Sequence, residues 1–329
     1  MCRRGERRSE RVKQTLEGLP EALRQTVGVI AILSTPTNLG LCPPKLGSVP
    51  GCAKAPEALR EAGLHARLFE TGAVDAGVIL PGRYDDDADR SGGRVRNQEA
   101  LVDHAFRLGQ LLDSGQTPPV LGGDCSLLIG AGLTLARRGR HGLVHLDGHT
   151  DFRHPGNSDA CLNLAGEDLA AGVGRHWPAV ADLDGRGPYF TTHDVVHIGC
   201  RDDDDHLPQT RQTLGAVIPA SAGTTNRHPA DSGTNSIRRR RRAPARLLAA
   251  PGRRRARPRH LPAVDSPDPG GLVPDELTAL LAALAPGALG AQVTVFDPDQ
   301  DPDGRYARLL TEVLATGLRE LGTQQHSYR

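Results

Sequence analysis

Five short apolar runs, four of them leading directly into glycine or an acidic residue and the first into a Pro/Gly-rich loop, constrain the fold of this chain more than any other feature. Their β-branched composition is typical of strands buried on both faces of a parallel sheet. Helical patterns such as KAPEALREAG and SLLIGAGLTLARRG lie between them. The alternation predicts an α/β fold of three layers, in which helices flank a central parallel sheet. The runs are VGVIAIL from Val27, PPVLGG from Pro118, GLVHLDG from Gly142, DVVHIGC from Asp194 and QVTVFDP from Gln292.

Length and composition allow one large domain. The chain has 329 residues, 38% of them hydrophobic, which is enough for a sizeable core. Residues 1–26 are highly charged and we expect an N-terminal extension there, followed by a single domain over residues 27–329. Within that domain, residues 220–260 show neither apolar periodicity nor a credible strand, and we expect them to be disordered.

The anomalous segment contains a dense arginine run. Eleven arginines fall within the 22 residues that begin at Arg238. The net charge of the whole chain is only +1, so any basic surface would be local. Two interpretations are open: a basic arm that binds nucleic acid through phosphates, and a segment that does not belong to the fold. Because residues 191–295 contain no aromatic side chain to stack on bases, we do not expect nucleic acid as a partner.

The stretch LDGHTDF is the strongest chemical signal. On an extended chain Asp147, His149 and Asp151 would share one face, because side chains at alternate positions point the same way. Two carboxylates and an imidazole at a strand end suit a divalent cation such as Mn²⁺, Fe²⁺ or Zn²⁺. The sequence therefore predicts a metal site, and a surface loop of unrelated polar residues is the alternative.

A second element, VLGGDCS, also ends a predicted strand. Gly122 and Gly123 would let the backbone turn sharply and approach a metal or substrate. Asp124 and Cys125 follow at the rim. A lone cysteine is more often a small buried side chain than a ligand, and only its neighbours favour Cys125 as a ligand.

These two elements, together with PAVDSPDPGGL from Pro262, resemble the ureohydrolase family of arginase, agmatinase and formimidoylglutamase. The family pattern is GGDHS, then DAHxD, then a strand with DxDxxD, then a loop ending in GGL. The resemblance implies an arginase-like fold, usually in trimers or hexamers, and two Mn²⁺ ions bridged by a hydroxide. It implies hydrolysis of a linear C–N bond in a guanidino or formimidoyl substrate.

The resemblance also assigns roles residue by residue. Asp147 would bridge both metals, Asp151 would bind the first and His149 the second. Cys125 stands where the family more often has histidine, so Zn²⁺ or Fe²⁺ becomes possible. Asp124 would orient the metal ligands without binding metal.

Two further positions concern the substrate. Glu276 matches a glutamate that hydrogen-bonds the guanidinium, although an acid at a helix N-terminus is an equal alternative. The stretch FRHPGNSDACLNLAGEDL lacks the histidine of arginases, and His154 could move protons instead. L-arginine is therefore only one candidate substrate.

The DxDxxD strand is absent from its expected place, which LLAAPGRRRARPRHL occupies. If the underlying codons are read one base out of step, their fixed bases permit FWLHLDVDVLDPAI, which has the missing spacing. We hypothesise a compensated frameshift, entered after Gly215 and left near His260. The chain as written would then lack two metal-binding aspartates and would be an impaired enzyme, and a non-catalytic homologue is the alternative.

Partners and location are inferred from what the chain lacks. No apolar run approaches the roughly 20 residues that a membrane span needs, and the basic N-terminus lacks a signal-peptide core. We expect a cytoplasmic homo-oligomer that acts on a small molecule and has no membrane partner.

Overall fold

A computed structural model describes residues 28–84, 98–161, 163–223, 246–249, 253–254, 263–264 and 270–325. The N-terminal extension, residues 1–26, lies outside the described residues, and so does the arginine run that begins at Arg238, apart from residues 246–249 and 253–254. So does most of the segment for which disorder was expected.

The described residues form a parallel sheet of eight strands. The strands follow the order β2-β1-β3-β10-β7-β4-β5-β6, and every neighbouring pair is parallel. A separate antiparallel pair joins β8 to β9. The bounds are β1 (Ala31–Thr35), β2 (Val74–Val78), β3 (Pro119–Gly122), β4 (Gly142–Leu146), β5 (Val195–Ile198), β6 (Ala216–Ile218), β7 (Arg246–Ala249), β8 (Arg253–Arg254), β9 (Gly270–Gly271) and β10 (Ala288–Val293).

Helices cover both faces of the sheet. They are α1 (Ala55–Glu61), α2 (Leu64–Phe69), α3 (Gln98–Asp113), α4 (Leu127–Ala136), α5 (Asp168–Gly172), α6 (Pro178–Ala181), α7 (Leu207–Thr213), α8 (Pro274–Leu284) and α9 (Arg305–Gly317). Successive strand residues alternate between two buried clusters: Ile32 packs with α1, α2, α8 and α9, whereas Leu33 packs with α3, α4 and α5. The predicted three-layer α/β class is confirmed.

Two strand predictions needed correction. The run QVTVFDP, predicted to be a strand followed by a loop, contributes only Gln292 and Val293 to β10, and Val295 turns the chain with a φ of 59°. A left-handed φ at a β-branched residue is incompatible with a continuing strand.

The second correction is larger, because residues 220–260 were expected to contain no strand. The structure places β7 there, between β10 and β4, with Leu248 paired to Ala291 on one side and to Val144 on the other. The short apolar sequence RLLA is enough to fill this place, since a parallel strand needs backbone pairing on both sides more than any particular side chain. The centre of the sheet is therefore continuous. Within the described ranges, no helix is both long and apolar enough to cross a membrane.

Candidate metal centre

The loops after β3 and β4 carry the two sequence motifs. Ligands of open parallel sheets gather at the carboxyl ends of the strands, and both loops leave the sheet at that edge. The order of the sheet places β7 and β10 between these two strands. The motifs are therefore brought together by tertiary structure, not by sequence proximity.

Gly123 permits a close backbone approach, but not the predicted one. A Cβ at this position would lie 1.5 Å from the carbonyl oxygen of Thr37. That carbonyl accepts a hydrogen bond from the Asp124 amide at 3.1 Å. The glycine thus lets the loop after β1 close over the motif, where we had expected a metal or substrate.

Asp124 is fully buried beneath this contact. Its Oδ1 accepts a hydrogen bond from the Ser126 amide at 2.8 Å, at the start of α4. Asp124 also raises the pKa of Asp168, so the two carboxylates lie within electrostatic reach. The predicted role of Asp124 in orienting the metal ligands remains a prediction.

Cys125 is buried at the amino end of α4. Its Sγ lies 3.3 Å from the hydroxyl oxygen of Thr294. Burial raises the pKa of the Cys125 thiol well above its usual value, and the charges of Asp168, Asp147 and Asp151 raise it further. Without a cation nearby, the thiol stays protonated.

The exit from β4 does not continue as an extended strand, so the prediction of one shared face was wrong. β4 ends at Leu146, and Asp151 has a left-handed φ of 46°. Such a backbone conformation costs about 1–3 kcal/mol in a non-glycine residue and is common at functional sites. The bend directs Asp151 and His149 to different neighbours.

His149 turns toward β5 and its following loop. The Nη1 of Arg201 donates to the His149 Nε2 at 2.7 Å, because a guanidinium can only donate. The His149 Nδ1 must then carry the proton, and it lies 3.6 Å from the Asp147 Oδ1. Both ring nitrogens are thus engaged, and neither presents a lone pair to a cation.

Asp151 instead meets two buried groups that sequence reasoning missed. The Nε2 of His145 lies 3.9 Å from the Asp151 Oδ2 and 3.9 Å from the Asp168 Oδ1. Burial, and then the Asp147 charge, raise the pKa of both carboxyl groups, and Asp168 further raises that of Asp151. The three side chains form a group that could hold a metal ion.

The histidine of this group, His145, contacts a second buried histidine, His197. His145 and His197 occupy paired positions on β4 and β5, and their Nδ1 atoms lie 2.8 Å apart. Burial lowers the pKa of His145 to about 3 and that of His197 to about 4, so both rings are neutral near pH 7. The signal was present in the sequence, since GLVHLDG and DVVHIGC carry histidine at equivalent positions. Asp168 left no such signal, because it follows β4 by more than twenty residues.

The two substrate-binding candidates, Glu276 and His154, make hydrogen bonds within their own segments. Glu276 is in the first turn of α8, where its Oε2 accepts a hydrogen bond from the Val273 amide at 3.2 Å. His154 is buried, and its Nδ1 accepts from the Gly156 amide at 3.0 Å. Burial, and then Arg175 and His176, lower the pKa of His154. Neither role is tested by these contacts, and both remain predictions.

A second buried group lies beside His154. Cys161, Glu167 and His176 have donor atoms close enough to hold a metal ion. The His176 Nε2 and the Glu167 Oε2 are 2.9 Å apart, with both side chains fully buried. This hydrogen bond engages the His176 Nε2, whereas the buried His176 Nδ1 has no hydrogen-bond partner among the described residues.

Comparison with known proteins agrees with this architecture. Residues 30–222 match the arginase family, and the chain belongs to that family. The native structure of arginase from Bacillus caldovelox superposes with a TM-score of 0.75 at 24% identity and covers 89% of this chain and 98% of that chain. This likeness establishes the arginase-like fold.

Two curated relatives show where the sequence similarity lies. The arginase of Bacillus caldovelox is 31% identical over 186 residues, 54% of this chain and 59% of that protein. The chain thus spans about three fifths of the length of that relative. Formimidoylglutamase of Halobacterium salinarum is 29% identical over 289 residues, 80% of each chain.

The buried donor set could hold a divalent cation. The described residues offer Asp147, Asp151, Asp168, His145 and Cys125 on one side of the centre, and the Asp168 Oδ1 has no hydrogen-bond partner there. Mutually repelling buried carboxylates are the arrangement that a cation stabilises. The family implies a pair of metal ions, and the buried histidine and aspartate groups could bind metal.

Proposed function

We propose that this chain is a metal-dependent hydrolase of linear C–N bonds in a guanidino or formimidoyl compound. The observation that carries the proposal is the buried carboxylate, imidazole and thiol cluster at the carboxyl edge of the sheet, in a chain of the arginase family. One relative is an arginase and another a formimidoylglutamase, which brackets the substrate class.

The motif residues Cys125, Asp147, His149 and Asp151 would hold the metal, with Asp124 orienting them. Mn²⁺ is the ion that we expect for the family, and the Cys125 thiol would suit Zn²⁺ or Fe²⁺. A cation bound there supplies an activated water for attack on a trigonal carbon. His149 can join only if its contact with Arg201 is released.

Glu276 and His154 are the proposed catalytic residues. Glu276 would exchange its bond to the Val273 amide for one to the guanidinium of the substrate. Burial lowers the pKa of His154, and its ring could accept a proton from the attacking water and pass it to the leaving nitrogen.

We also propose that the chain as written is impaired by a compensated frameshift. The family match ends at residue 222, just before the arginine-rich segment begins. β7 supplies the backbone of the missing strand, but no acidic residue lies between Asp231 and Asp265. Reading the gene across codons 215–265, together with the intact mass of the protein, tests this proposal. An uninterrupted reading frame through the arginine run would contradict it if the enzyme also turned over at ordinary rates.

The activity itself is tested with purified full-length protein loaded with Mn²⁺. Arginine, agmatine and formimidoylglutamate are supplied in turn, and release of urea or formamide is measured. Asp151→Asn should abolish whatever release is seen. Equal release from metal-stripped protein would overturn the proposal.

We further propose a homo-oligomer, a trimer or hexamer. The exposed side chains of Val74, Val78 and Leu80 at and beyond the edge strand β2 support an interface. Light scattering on the full chain tests this, and a monomer at micromolar concentration would contradict it.

A further inference from the structure

His145, Asp151 and Asp168 form a three-sided cage that the sequence motifs did not indicate. Their donor atoms all lie within 4.8 Å of one another, and the three residues are 1%, 8% and 1% exposed. Ligands that share one ion at bond lengths of about 2.1 Å lie roughly 3–4 Å apart. The two separations of 3.9 Å from the His145 Nε2 are in that range.

An unsatisfied acceptor points into this cage. The Asp168 Oδ1 is buried and finds no hydrogen-bond partner in the described part of the chain. A buried carboxylate oxygen without a donor is strongly destabilising unless a cation compensates it. Asp147 adds a further negative charge nearby.

We propose that this chain binds one divalent transition-metal ion through the His145 Nε2, Asp151 and Asp168, and that His197 is a positioning residue for this site. The inference concerns the metal site on which the proposed function rests. Of the four motif-derived ligands it keeps only Asp151. His145 from β4 and Asp168 from α5 take the place of Cys125, Asp147 and His149.

The histidine pair explains how His145 can act as a ligand. Between two Nδ1 atoms 2.8 Å apart, one ring donates and the other accepts. If His145 donates its Nδ1 proton to His197, its Nε2 carries a lone pair directed between the two carboxylates. His197 thereby fixes the metal-binding tautomer, as partners of metal-bound histidines commonly do.

The contacts of His149 lead us to expect one bound ion per chain, not two. Arg201 donates to the His149 Nε2, and the protonated His149 Nδ1 faces Asp147. The Arg201 guanidinium places a fixed positive charge against the His149 ring. It takes the place of the second cation and disfavours its entry by repulsion.

The first experiment measures binding, so that it can fail separately from the proposed function. Full-length protein is stripped with a chelator and titrated with Mn²⁺, with free Mn²⁺ counted by electron paramagnetic resonance. We expect one ion per chain. Asp168→Asn should weaken binding at least ~100-fold, since removing a ligand should cost more than removing an outer-shell partner. Glu167→Gln, in the other buried group, is the matched control and should bind like the unmodified chain.

A stability readout guards against a variant that merely misfolds. Asp168→Asn replaces a buried carboxyl group, whose Oδ1 has no hydrogen-bond partner among the described residues, by an uncharged amide of similar shape, so the metal-free midpoint of thermal unfolding should equal or exceed that of the unmodified chain. The rise in midpoint on adding Mn²⁺ should vanish. Unchanged Mn²⁺ affinity in Asp168→Asn, or loss of binding in Glu167→Gln, would overturn the proposal.

The positioning role of His197 has its own test. His197→Phe should weaken Mn²⁺ binding ~10–100-fold, because the His145 tautomer is no longer fixed. His197→Asn retains an acceptor near the His145 Nδ1 and should restore most of the affinity. Equal loss in both variants would show that His197 acts only through packing.

Co²⁺ distinguishes the two candidate ligand sets. A thiolate-to-cobalt charge-transfer band in the near ultraviolet would show that a cysteine binds the ion. If the band disappeared in Cys125→Ser but not in Cys161→Ser, Cys125 would be that ligand, and the set of His145, Asp151 and Asp168 would be contradicted. Absence of the band with one bound Co²⁺ would support it.

Discussion

β4 and β7 are neighbouring strands at the centre of the same sheet, yet the residues that come after them differ sharply. Their backbones pair over four residues, from Gly142 with Arg246 to His145 with Ala249. β4 leads into LDGHTDF, with two acids and a histidine, whereas β7 leads into an acid-free, arginine-rich stretch. Strand pairing therefore requires little of the sequence, whereas the metal centre requires particular side chains at each strand end.

The largest expected effect comes from placing metal-binding aspartates after β7, as they already stand after β4. Replacing residues 247–260 by FWLHLDVDVLDPAI should raise the bound Mn²⁺ from one to two ions per chain. Turnover should rise at least ~100-fold, equivalent to roughly 3 kcal/mol of transition-state stabilisation. Metal analysis and initial rates measure both.

The control for this replacement is the same string with its first two aspartates changed to asparagine. It keeps the length and the apolar pattern, so it should fold alike but gain neither the second ion nor the activity. If it gained both, the carboxylates after β7 would not be the missing element.

A backbone test asks whether β7 is paired as the structure shows. Leu248→Pro should destabilise the protein by about 3 kcal/mol or more, because it removes a ladder N–H in a central strand. Leu248→Ala keeps the N–H and serves as the matched comparison. Urea unfolding gives both free energies. Equal effects of proline and alanine would show that β7 is not paired in the sheet.

The free energy of unfolding should also depend on pH through His104, a buried residue of α3. Its ring is fully buried, with Nδ1 3.3 Å from the Thr35 hydroxyl, and burial lowers its pKa to about 4. The unfolded pKa is about 6.5, so the unfolded chain binds more protons between these values and stability falls as pH falls from 6.5 toward 4. We expect a loss of about 2 kcal/mol between pH 7 and pH 5 from this group.

Urea unfolding at several pH values measures this dependence. His104→Gln should be less stable at pH 7 but show a shallower decline toward pH 5. An unaltered slope in that variant would assign the acid sensitivity to the histidines of the metal centre.

The smallest effect concerns a surface ion pair that joins two loops near the site. The Nζ of Lys54 lies 2.6 Å from the Asp299 Oδ1, and the two side chains are 63% and 50% exposed. Lys54→Met should cost less than about 1 kcal/mol, because water screens the pair. A double-mutant cycle with Asp299→Asn measures the coupling, and a value well above this would indicate a more buried role.

Much of the fold and part of the site could be predicted from the sequence. GLVHLDG and DVVHIGC gave β4 and β5, and the motif residues Asp147 and Asp151 do lie at the buried edge of the sheet. The predicted extended face failed at Asp151, because periodicity holds only while the chain remains a strand. β7 was missed because three apolar residues within an arginine-rich segment carry almost no local signal for a strand.

The sequence by itself determined the α/β class, the order of the strand runs and the motifs at their carboxyl ends, because hydrophobic periodicity and strand-end chemistry are local properties. Only the tertiary structure decided that Asp168 lies beside Asp151, that His145 stacks on His197 and that Arg201 engages His149. These contacts join residues from separate elements. Which carboxylates share a low-dielectric pocket depends on how those elements pack, and no local pattern encodes that.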